Sequence, residues 1–193
     1  MPSINLTQKD KTTLLNIARQ SIAYGLQNRR PLRVDINACS RSLQSKCASF
    51  ITLKLNRQLR GCIGALTAHQ PLAKDVAEHA FAAAFKDSRF SPLSAAEQTQ
   101  LDIHISILTP PENMHCVSED ELLQQLQPGI DGLIFTAGKH QATFLPSVWE
   151  SLPTSQEFVQ QLKLKAGLDK DFWSKDVQLQ RYRTISIADQ SAK

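Results

Sequence analysis

Two short apolar runs joined by three polar residues constrain this chain more than any other feature. Cys47 to Leu55 alternates, with Cys47, Ser49, Ile51, Leu53 and Leu55 on one side and Phe50 on the other. Asn56-Arg57-Gln58 then reads as a turn, and Leu59 to Leu66 as the returning strand. Alternation with period two is the mark of a strand that buries one face, so the spacing predicts a β-hairpin. Strict alternation places Arg60, Cys62 and Gly64 on one face of the second strand and Leu59, Gly61 and Ile63 on the other. The hairpin thus carries a guanidinium and a thiol on a rigid element.

The remaining pattern mixes helices with further strands. Thr7 with Asp10 opens a helix whose apolar positions are Leu14, Leu15, Ala18, Ile22 and Leu26. Asn28 to Lys46 has no periodicity and reads as a loop with one short turn. Pro71 precedes a helix with a small-residue stripe, Leu72, Val76, Ala80, Ala83 and Ala84, suited to close packing. Leu101, Ile103, Ile105 and Ile107 alternate with polar residues and stop at Pro110-Pro111. Ser118 with Glu121 and Thr154 with Glu157 open two more helices, and Ala137-Gly138-Lys139-His140 marks a second hairpin. Val177 to Ile187 reads as one long closing strand. Hairpins recur and crossover units do not, so the class is α+β, with antiparallel sheets and flanking helices.

Composition narrows the function classes. The chain has 193 residues and a net charge of +4, enough length for one compact unit and too little charge to suggest nucleic acid. The N-terminal residues Met1 to Asp10 carry no secretory pattern, and no run is long enough to span a membrane, so a cytoplasmic location is expected. Cys39, Cys47, Cys62 and Cys116 are too widely spaced for a zinc motif, and no metal or cofactor is expected.

Two readings of the chemistry stay open. In one, a cation beside Cys62 favours thiolate and the glycines admit a ligand. In the other, Cys62 is a small hydrophobe, Arg60 binds a carboxylate, and the glycines serve a bulge. Asp87 and Arg89 join Arg60 as candidates: the two arginines are able to grip an anion while Asp87 fixes one of them, or the acid and base form a clasp. Among the histidines His69, His79, His104, His115 and His140, only His69 and His104 are placed to approach the thiol.

Leu59-Arg60-Gly61-Cys62-Ile63-Gly64 resembles the hallmark of the AMMECR domain family. Lys86-Asp87-Ser88-Arg89-Phe90 with Pro92-Leu93, Leu145-Pro146 with Val148, Lys165-Ala166-Gly167, and Leu179 with Arg181-Tyr182-Arg183 resemble its later motifs, in order. The match is strongest over 47–183, within a single AMMECR-like domain spanning 1–193. The resemblance implies a larger subdomain holding both termini, a smaller inserted one, and a cleft near the glycine-cysteine motif. Bacterial chains of this kind are similar to the A component of the AmmeMemoRadiSam system, which implies a Memo-like dioxygenase-type protein and a radical S-adenosylmethionine protein as partners. The expected role is a component of an enzyme system acting on a small anionic organic substrate. Its site is expected to comprise Cys62 as catalytic thiol, with Arg60, Gly61, Gly64, Asp87 and Arg89 around it. A non-catalytic docking module is the other expectation, with nucleic acid binding a distant third. Ala65 and Trp149 depart from the family pattern in ways expected to alter a pocket, and the tail Ile185 to Lys193 lacks an acidic end.

Overall fold

The structure is a computed structural model that describes residues 5–188. The chain divides into two units: one runs to Leu108 and resumes at Ile185, and the other is the inserted segment Thr109–Thr184. Each is built around its own four-stranded sheet.

In the first unit, α1 (Gln8–Asn28) starts at a complete capping box, with the Asp10 backbone N–H donating to Thr7 Oγ1 and the Thr7 N–H donating to the Asp10 carboxylate. It ends at Arg29 in the left-handed region, φ 53°. The expected loop holds two short turns, at Ile36–Ala38 and at α2 (Arg41–Gln44), where one was anticipated. The hairpin follows as β1 (Ser49–Leu55) and β2 (Gln58–Gly64), its two-residue turn formed by Asn56 and Arg57, both at positive φ. Helix α3 (Leu72–Phe85) and the short α4 (Ala95–Gln98) precede β3 (Leu101–Leu108).

The second unit contains β4 (Glu112–Met114), α5 (Glu119–Gln125), β5 (Gly132–Ala137), β6 (His140–Phe144), α6 (Ser155–Lys165) and β7 (Gln178–Tyr182). Strand β8 (Thr184–Ala188) returns to the first unit. The sheet orders are β2-β1-β3-β8 and β4-β7-β5-β6. The expected single closing strand is therefore two strands serving two sheets. They part at Arg183, whose N–H donates to Thr109 Oγ1 and whose carbonyl accepts from the Thr109 N–H.

Burial follows the alternation where the ladder is regular. Ser49, Ile51 and Leu53 of β1 and Ile103, Ile105 and Ile107 of β3 point into a core completed by Leu14, Ala18 and Ile22 of α1 and the small residues of α3. The opposite face of this sheet, Phe50, Thr52 and Lys54 with His104 and Ser106, is half-buried. The second core is aromatic: Trp149 stacks on Phe158 at 3.9 Å and donates its Nε1–H to the Asp131 carbonyl. Trp149 is thus a core residue of the second unit. Tyr182 is also buried, and burial pushes its phenol up to about 12, while the hydroxyl pairs with Thr143 and donates to the Phe144 carbonyl. The last five positions of the tail lie outside the described residues.

Candidate functional site

The site forms where α3 ends against the edge of the first sheet. Gly61 of β2 lies directly on the α3 backbone, and a Cβ there would press into the Ala83 carbonyl oxygen. A small-residue stripe on α3 meeting glycine on β2 gives this close approach. Gly64 is equally confined, because a Cβ would run into the Phe50 ring and the Ser49 carbonyl. Both glycines of the motif are thus required by packing.

The close approach brings the residues after α3 to Cys62. Strand β2 is the edge of its sheet, so the Cys62 N–H and carbonyl have no strand beyond them. Asp87 and Arg89 fill the gap. The Cys62 N–H donates to Asp87 Oδ2 at 2.8 Å, and Arg89 Nη2 donates to the Cys62 carbonyl at 3.3 Å. The two side chains are locked together, Arg89 Nη2 to Asp87 Oδ2 at 2.7 Å and Arg89 Nε to Asp87 Oδ1 at 2.9 Å. The Arg89 guanidinium, with help from the N–H groups of Cys62 and Arg89, holds the Asp87 carboxyl below the usual carboxylate range against the opposing effect of burial. Arg89 is raised in turn, chiefly by Asp87 and least by the neighbouring Cys62. Its side chain is 54% exposed and that of Asp87 4%.

Arg60 goes elsewhere. The register between β1 and β2 shifts after Leu53, which faces Gly61, to Lys54, which faces Leu59, leaving Arg60 as the extra residue of a bulge. The bulge corrects the strict alternation: Leu59 joins Cys62 on the half-open face and is 44% exposed instead of pointing into the core. Arg60 Nε donates to Glu97 Oε1 at 2.7 Å and its Nη2 donates to the Ser91 carbonyl. Arg60 and the Ser94 N–H hold the Glu97 carboxyl down at about 2. The cation beside the thiol is accordingly Arg89, whereas Arg60 has Glu97 as its partner. Phe90 joins the two arginines, its ring centroid 5.8 Å from the Arg60 guanidinium carbon and 5.5 Å from that of Arg89. Glu97, which also closes the Ser94 capping box, completes this constellation and is not among the site residues singled out from the sequence.

On the thiol side, Thr52 Oγ1 lies 3.3 Å from Cys62 Sγ, and either atom is able to donate. His104 faces Thr52 from the next strand. Neither a dyad with His69 nor a cluster of three metal-ligating side chains appears among the described residues. The arrangement offers a half-buried thiol, a hydroxyl against it, and a guanidinium fixed at its backbone with one edge in solvent.

The sequence pattern of the AMMECR1 family matches residues 15–187. The chain belongs to the AMMECR1 family. A protein of Methanothermobacter thermautotrophicus is 32% identical over 184 residues, covering 92% of this chain and 93% of that one. One of Thermotoga maritima is 31% identical over 170 residues, covering 87% and 90%. The crystal structure of an uncharacterised protein from Pyrococcus horikoshii superposes with a TM-score of 0.85 at 28% identity, covering 92% of this chain and 90% of that one. In this AMMECR1-family chain the hallmark hexapeptide thus combines a packing contact, a bulge and the thiol's edge position within one strand. No helix among the described residues is long and apolar enough to cross a membrane.

Proposed function

We propose that this domain is the ligand-binding component of an enzyme system acting on a small anionic organic molecule, taken up beside Cys62 with Arg89 as its anion contact. One observation carries the reading: the Asp87–Arg89 pair fixes both backbone groups of Cys62 and leaves a half-exposed guanidinium against the Cys62 carbonyl. A guanidinium held by a buried carboxylate is preorganised, so little rotamer entropy is lost when it meets an anion. In this reading Arg60, Gly61 and Gly64 shape the ground on which Cys62 stands, and the thiol is the reactive group.

The test compares alkylation of Cys62 by iodoacetate and by iodoacetamide, followed by peptide mass spectrometry. A unit charge at a range of about 6 Å in a water-like medium contributes at most about 0.7 kcal/mol, or about threefold in rate, and the paired Asp87 carboxylate makes this an upper bound. Cys62 should therefore favour the anionic reagent by up to about threefold more than glutathione does, and Arg89→Met should remove that preference. A ratio equal to that of glutathione overturns the proposal. Equal rates together with co-purification of a Memo-like or radical S-adenosylmethionine protein would instead support a docking module without chemistry of its own.

A further inference from the structure

We infer that His104 governs the protonation of Cys62 through the hydroxyl of Thr52, so that the three residues form a proton relay across three adjacent strands. The inference rests on the proposed site at Cys62 and adds the residue that receives its proton. Thr52 is the register partner of Cys62 on β2 and of His104 on β3. Directly opposed residues of neighbouring strands project from the same face, so the three side chains stand in a row. All three are half-buried, on the side of the sheet away from the core.

The two links differ in kind. Cys62 turns its N–H and carbonyl outward to Asp87 and Arg89, so it forms the closer, non-hydrogen-bonded type of pair with Thr52, with Cα atoms about 4.5 Å apart. This accounts for the 3.3 Å between Thr52 Oγ1 and Cys62 Sγ. Thr52 then turns its own backbone groups towards β3, giving the wider pair with His104, about 5.5 Å between Cα atoms and within reach of an imidazole. The Cys62 and His104 backbones are two strand spacings apart, about 9.5 Å, which is why a hydroxyl between them matters.

The step balances without any further reactant. The Cys62 S–H bond breaks and its proton passes to Thr52 Oγ1, whose own proton passes to a ring nitrogen of His104. A thiolate and an imidazolium result, and Thr52 ends as it began. A threonine hydroxyl suits this position because it donates and accepts at once. The charged groups around the row are the Asp87–Arg89 pair and the Arg60–Glu97 pair beside Cys62, Lys54 on β1 and Asp102 on β3. Strand β8 adds no titratable side chain between Thr184 and Ala188.

The experiment is the pH dependence of Cys62 alkylation by iodoacetamide in the full chain and in Thr52→Val, Thr52→Ser and His104→Asn. Thr52→Val and His104→Asn should each slow the reaction about tenfold at pH 6.5 while reaching the same plateau in base, because the thiolate is the reacting species. Thr52→Ser, which keeps the hydroxyl, should retain the wild-type profile. Overlap of the His104→Asn and wild-type profiles, with folding checked by circular dichroism, overturns the relay, as does overlap of the Thr52→Val profile. The iodoacetate preference depends on Arg89 and should persist in all three variants. Its absence from the wild type would therefore count against the proposed anion site and leave the relay to be judged on the profiles alone.

Discussion

Asp87→Asn is the sharpest perturbation of the clasp, because it preserves shape and removes only charge and one acceptor. Both carboxylate oxygens are in use: Oδ1 accepts from the Arg89 N–H and Nε, and Oδ2 accepts from the Cys62 N–H and Arg89 Nη2. An asparagine amide has one oxygen, so in either orientation its NH2 group faces two donors. Two charge-assisted hydrogen bonds are lost, at about 1.5 kcal/mol each when the lower end of the range is taken for a partner as exposed as Arg89. The expected destabilisation is about 3 kcal/mol, or a fall in Tm of about 6–12 °C for a chain of this size. Calorimetry and urea titration measure it. Acid supplies a second check. The folded-state value of Asp87 lies below its unfolded value of about 3.9, so its contribution is complete above that pH and fades as pH falls further. The cost of Asp87→Asn should therefore be largest near neutrality and shrink below about pH 4. A loss of less than about 1 kcal/mol, or one that does not shrink in acid, would refute the clasp as a structural element.

Two other outcomes test neighbouring claims. Gly61→Ala should destabilise the fold by about 1–3 kcal/mol through overpacking against the α3 backbone, seen as a lower urea midpoint, with Gly61→Ser no better. In ultraviolet titration, Tyr182 should ionise near pH 12 and Tyr182→Phe should abolish that step; its contribution to stability is full below about pH 10 and is lost as pH rises towards about 12.

Much of the fold was legible because it is written in local periodicity. The α1 cap, the first hairpin, β3 and the small-residue stripe of α3 all occur where alternation or helical spacing predicts them. The closing strand shows where such reading stops. Val177 to Ile187 alternates almost continuously, yet β7 pairs in one sheet and β8 in the other, because the break at Arg183 is made by hydrogen bonds to Thr109, 74 residues away in sequence. Cys62, Asp87 and Arg89 were selected from the sequence, and the structure brings them together. Arg60 was selected with them but is directed to Glu97, since the bulge that leaves it unpaired is a property of the two-strand register.

What the sequence by itself determined, then, is most of the helices and strands, the family, and a hexapeptide in which glycine, arginine and cysteine are crowded together. Those follow from side-chain period and turn chemistry, which act over a few residues. Only the tertiary structure decided what each member of the hexapeptide does. Gly61 admits the end of α3, that contact places Asp87 and Arg89 on the free backbone edge of Cys62, and the register of three strands lines up Cys62, Thr52 and His104. Edge position, register and bulge are relations between segments distant in sequence, and they exist only once the sheet has formed.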